Sequence, residues 1–163
     1  MEKELTVVEI IGLGIRSEED AARFYGALSK KIKNELVRAK YESLAREEES
    51  HRHMLRVMYE KMTGERNPPR IPGAPVTAEG GGIPLISESL EELLQYAMSR
   101  ERESCEFYRK LAPRMSDGAS RRTIEYLADI EKGHESLLRS ELEAYRRDIN
   151  WYAEKPDIQL VGP

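Results

Sequence analysis

The chain repeats itself. A shift of 83 positions lays the segment from Glu18 to Leu55 onto the segment from Glu101 to Leu138 without a gap. Glu18, Phe24, Tyr25 and Leu28 fall on Glu101, Phe107, Tyr108 and Leu111. Glu42, Leu44, Ala45, Glu48, His51 and Leu55 fall on Glu125, Leu127, Ala128, Glu131, His134 and Leu138. Each copy holds two stretches with apolar residues at steps of three and four, the spacing of an amphipathic helix, while strand-like alternation is almost absent. Two copies of one antiparallel helical hairpin predict an all-α four-helix bundle with near two-fold symmetry.

Turn and cap chemistry sets the expected boundaries. Thr6 and Glu9 form a capping-box pattern before a first helix over about 7–33, and Asn34 is placed to cap a second over 35–62, stopped by Gly64. Ser89 and Glu92 repeat the capping-box pattern before a third helix over 90–115, and Asp117 precedes a fourth over 118–148. The bundle is expected to fill residues 1–150, with 151–163 as a C-terminal tail that docks on a partner subunit or is mobile. Between the hairpins lies a Pro- and Gly-rich connector over 63–88. A connector this long fits second and third helices that run parallel. The chain must then travel the bundle's length, about 40 Å at 1.5 Å per residue, which roughly 25 extended residues span with slack.

The seams that should face the core carry an anomaly. They read Ile11, Ile15, Glu18, Ala22, Tyr25, Leu28, Ile32 in the first helix and Val37, Tyr41, Leu44, Glu48, His51, Leu55, Met58, Met62 in the second. The third reads Leu94, Met98, Glu101, Cys105, Tyr108, Leu111, and the fourth Ile124, Leu127, Glu131, His134, Leu138. All four apolar stripes are broken at mid-length by Glu, and two of them again by a His one turn on. An unpaired carboxylate in such a stripe costs several kcal/mol, of the order expected for buried charge. Four together would repel until some were protonated. Two divalent cations balance four carboxylates, and one Glu from each of two helices with Glu-x-x-His from each of the other two is the di-metal carboxylate pattern. Glu18, Glu48, His51, Glu101, Glu131 and His134 are the expected ligands. A buried Glu–His network without metal would leave too many acceptors for its donors. In the run Arg46-Glu47-Glu48-Glu49 only Glu48 lies in the seam, so the others read as a solvated face, and His53 reads as exposed. Cys105, which aligns with Ala22, reads as a small core residue.

The segments Ile15-x-x-Glu18-x-x-Ala21-x-x-Phe24-Tyr25 and Leu44-Ala45-x-x-Glu48-x-x-His51 resemble the rubrerythrin branch of the ferritin-like superfamily, over roughly residues 7–148. The resemblance implies a ferritin-like bundle with two iron ions that reacts with hydrogen peroxide or dioxygen, as a non-haem di-iron peroxidase or oxidase. It also implies that Tyr25 and Tyr108 sit beside the ligands and support the chemistry. Rubrerythrins proper carry a rubredoxin domain with four cysteines. This chain has one cysteine, so the electron donor is expected to be external. The extra ligand Glu on the third helix of rubrerythrins is also missing, because one turn either side of Glu101 stand Met98 and Ser104. Two alternatives stay open: a ferroxidase that handles iron, and a non-catalytic bundle binding manganese or zinc, since imidazole and carboxylate suit several metals.

A net charge of −4 gives no electrostatic reason to expect nucleic acid or an anionic membrane as a partner. No run of 18 apolar residues predicts a membrane span. With one cysteine and no clear cleavable leader, the expected setting is the cytoplasm, and the expected assembly is a homodimer.

Overall fold

The computed structural model describes residues 4–69 and 89–153. Helix α1 spans Val7–Lys30, α2 Glu35–Thr63, α3 Leu90–Leu111 and α4 Gly118–Arg147, with a 3₁₀ turn over Ala112–Arg114 and a short α5 over Ile149–Ala153. The caps form as the sequence suggests. Thr6 Oγ1 accepts from the Glu9 amide while Glu9 accepts from the Thr6 amide, and Ser89 and Glu92 repeat the exchange. Asn34 Oδ1 accepts from the amides of Leu36 and Val37, and Asp117 from that of Ser120. Gly64 ends α2 in the left-handed conformation at φ 75°, where a β-carbon would be strained.

Some ends differ from expectation. Helix α1 stops at Lys30 rather than near Lys33, and the Arg38 side chain donates to the carbonyls of Ile32 and Lys33 that follow it. Helix α3 tightens into the 3₁₀ turn at Ala112, where Pro113 cannot donate to a continuing α-helix. Met62, placed in the seam by periodicity, is 44% exposed because the last turn of α2 runs past the core. The start of the expected tail docks on its own chain: Tyr152 in α5 is buried, bonds the Tyr41 hydroxyl and meets Tyr145 edge-on. Residues 154–163 and most of the connector, 70–88, lie outside the described residues. At the connector's near end, Pro68 seats against Gly12, whose missing side chain makes room, and Arg16 donates to the Pro69 carbonyl at 2.6 Å.

The core is two apolar clusters. One gathers Ile11 and Ile15 from α1, Leu55 and Met58 from α2, Tyr108 and Leu111 from α3, and Ile124 and Leu127 from α4. The other gathers Leu28 from α1 and Ile32 just beyond it, Val37 and Leu44 from α2, Leu93 and Leu94 from α3, and Leu138 and Leu142 from α4. Helices α2 and α3 both begin in the second cluster and run toward the first, so they are parallel, whereas each hairpin, α1–α2 and α3–α4, is antiparallel. The connector must therefore join opposite ends of the bundle. Among the described residues, no helix is long and apolar enough to cross a membrane.

Candidate metal centre

Between the two clusters, all four helices turn polar at one level. Glu18, Glu48, His51, Glu101, Glu131 and His134 are each 5% exposed or less, and the structure brings all six together. They form two overlapping groups of four: Glu18, Glu48, His51 and Glu131, and Glu48, Glu101, Glu131 and His134. Within each group, one ligand-capable atom per residue lies within 4.8 Å of the others. Glu48 and Glu131 belong to both groups, so the Glu of each Glu-x-x-His sits between two positions, while Glu18 and Glu101 each serve one. The imidazoles lie 5.7 Å apart and 17° from parallel, reflecting the two-fold relation of the hairpins.

His51 Nδ1 forms a hydrogen bond with Glu48 Oε2 at 3.1 Å, but other close contacts in the cluster leave atoms unsatisfied. His51 Nδ1 stands 2.9 Å from Glu131 Oε1, and His134 Nδ1 stands 3.0 Å from Glu48 Oε1. Yet Glu48 Oε1, Glu131 Oε1 and His134 Nδ1 are buried atoms without a hydrogen bond. Polar atoms this deep are rarely left unsatisfied in a native interior. Carboxylate oxygens and imidazole nitrogens converging from four sides are the donor set of a hard or borderline divalent cation, and two such ions would occupy those orphaned atoms. The residues therefore fit a dinuclear metal site.

Electrostatics agrees. Burial, reinforced by neighbouring carboxyls, pushes Glu131 up to about 11 and Glu18 up to about 8. Burial acts the same way on Glu48, but contact with His134 and His51 outweighs it and holds that group at about 2. Burial opposes the charged form of both histidines, yet the surrounding carboxylates raise His51 to about 12 and His134 to about 11. Without cations, protons limit the negative charge instead: the histidines are driven towards imidazolium, and Glu131 and Glu18 towards neutral carboxyls.

Tyr25 and Tyr108 touch the site by crossing between hairpins. Each lies on the face of its own helix's glutamate, but the Tyr25 hydroxyl donates to Glu101 Oε1 and the Tyr108 hydroxyl to Glu18 Oε1. Burial first, and then those carboxylates, keep both phenols protonated and able to donate. His53 is exposed, and Cys105 is a buried free thiol. One contact goes beyond what the sequence suggests. Glu47, read as part of a solvated face, is 49% exposed yet accepts from His134 Nε2 at 2.8 Å, on the side of the ring away from the cluster. Helical periodicity gave no signal for it, because its partner sits on another helix.

Comparison with known proteins places this geometry. The structure resembles a hypothetical protein from Pyrococcus furiosus at 30% identity and TM-score 0.69, covering 91% of this chain and 93% of that one. It also resembles a candidate ferritin-like diiron-carboxylate protein from Thermotoga maritima at 25% identity and TM-score 0.70, covering 92% and 100%. Bacterioferritin from Rhodobacter capsulatus shares the fold at 21% identity and TM-score 0.64, covering 90% and 89%. No curated protein matches the sequence. The family model described as rubrerythrin matches residues 9–142, which contain all six clustered carboxylate and histidine residues and both tyrosines. With that span matched, the chain belongs to the rubrerythrin family.

Proposed function

We propose that this protein is a di-iron oxidoreductase that reduces hydrogen peroxide or dioxygen with electrons from an external donor. The observation that carries this reading is the pair of overlapping buried residue groups, which share Glu48 and Glu131 and add Glu18 with His51 in one and Glu101 with His134 in the other. Two bound iron ions would supply electrons to the oxidant. The chain's own residues do the rest. Four carboxylates offset the charge of two divalent ions, which keeps the centre neutral inside a dry bundle. The apolar clusters on either side exclude bulk water and confine access to small molecules. Tyr25 and Tyr108 orient the terminal carboxylates of Glu101 and Glu18 and hold protons within reach of the site. Rubrerythrin-family membership favours peroxide as the oxidant. A homodimer in the cytoplasm, expected from the sequence, belongs to the same reading.

The test is kinetic. Protein loaded anaerobically with ferrous iron is mixed with hydrogen peroxide in a stopped-flow spectrometer. The reading expects two irons per chain to oxidise faster than free iron does, and oxidation no faster than that of free iron refutes it.

A further inference from the structure

We propose that the two halves of the dinuclear site are unequal, and that Glu47 makes the half built from Glu101 and His134 take up a divalent cation first. The inference rests on the dinuclear reading above and concerns a residue outside the ligand set.

The two-fold repeat makes the asymmetry visible. Glu48 and Glu131 are shared between the halves. The terminal carboxylates match, since each receives one tyrosine hydroxyl from the opposite hairpin. The hydrogen bond from His134 to Glu47, which lies outside the six, has no such match in the other hairpin. The Glu47 carboxylate bonds His134 Nε2, while the position 83 residues further on, which should serve His51, is Ile130. Every carboxylate contact of His51 among the described residues is made through Nδ1, on the cluster side.

A carboxylate on the far nitrogen matters to a metal-ligating imidazole in two ways. It fixes the tautomer that carries hydrogen on Nε2, leaving the Nδ1 lone pair for the cation, and it makes that lone pair a stronger donor. The Glu47 contact fixes the His134 ring before any ion arrives, so that loss of the Nδ1 proton to an incoming cation leaves this tautomer. His51 must reach the same tautomer and ring orientation without a carboxylate on Nε2 among the described residues. Outer carboxylates of this kind are worth about 10–100-fold in metal affinity. Glu47 is thus a positioning residue, acting through His134.

Stepwise binding alone would not establish this, because the first cation disfavours a second nearby in any such site. Order of filling and its response to substitution do. The chain has three histidines, so the side-chain nitrogens of ¹⁵N-histidine-labelled protein give a simple spectrum, with exposed His53 as an internal control. Zinc, added to metal-free protein up to two equivalents, is expected to shift the His134 signals first. In Glu47→Ala the tight step should weaken by about 10–100-fold and His134 should lose its precedence. Glu47 is half exposed, so the variant should keep its helical circular dichroism. Ile130→Glu should tighten the other step and move His51 earlier in the titration. His134 and His51 shifting together in the unaltered protein, or a Glu47→Ala titration that matches it, overturns the inference while leaving the dinuclear site intact. Failure to bind two zinc ions at all overturns both.

Discussion

Replacing Glu131 by Gln should make the metal-free protein more stable, although it removes a carboxylate common to both residue groups. In the native state burial keeps this group protonated far above its ordinary value of 4.5, so it is already neutral at pH 7. Gln is a neutral side chain of the same size, and the folded state changes little. The unfolded state differs, because there the wild-type carboxyl ionises freely and the amide does not. The sign follows from linkage. A carboxyl raised on folding costs nothing below pH 4.5, and above it the unfolded chain gains about 1.4 kcal/mol per pH unit until the folded value is passed. At pH 7 that amounts to about 3 kcal/mol, a rise of roughly 6–12 °C in Tm for a chain of this size. The assay is urea denaturation with a chelator present, followed by circular dichroism from pH 4.5 to 7. Exposed Glu103 gives a control, since Glu103→Gln should stay within about 0.5 kcal/mol of wild type. The advantage of Glu131→Gln should be near zero at pH 4.5 and grow with pH. A variant less stable at pH 7, or a gain independent of pH, would show that Glu131 is not held neutral by burial and would refute the reasoning.

Cation uptake should release about four protons per pair of ions, two from the imidazoliums and two from Glu131 and Glu18, measurable by calorimetry in buffers of different ionisation heat. The raised histidines stabilise the metal-free fold fully below pH 6.5, and that contribution is lost as pH rises through about 11 and 12. Melting curves should therefore fall with pH above neutrality for metal-free protein, while the stabilisation added by metal increases; parallel trends would contradict the proton-for-cation exchange. Tyr108→Phe keeps the ring but takes the donor from Glu18, and should cost about 1–3 kcal/mol in denaturant titrations with helicity intact. Tyr152→Ala should cost about 3–5 kcal/mol, as for other buried aromatics, and an unchanged midpoint would show that α5 does not dock.

The bundle and its six clustered groups were legible because each writes its own signal on one helix. A carboxylate in an apolar stripe is conspicuous at Glu18, Glu48, Glu101 and Glu131, and the repeat doubles each observation. Caps at Thr6, Asn34, Ser89 and Asp117 are local chemistry and were readable for the same reason. What escaped depends on juxtaposition between helices. Glu47 looks solvated along α2 and gains its partner only because α4 presents the back of His134 to it. The crossing of Tyr25 to Glu101 and Tyr108 to Glu18 could not be told from in-helix pairing by spacing, since both residues share a face with their own glutamate. Tyr152 reads as tail until the fold supplies Tyr41 across from it.

The placement of the apolar clusters at either end of the bundle carries a consequence for the life of the molecule. Each end is fastened by contacts among all four helices, so the middle is not asked to act as the keystone. In small zinc modules the ion is the fold, and chelation unmakes it. Here two apolar clusters, one on each side of the polar level, join the four helices, so removing and restoring the ions should leave the helical circular dichroism unchanged.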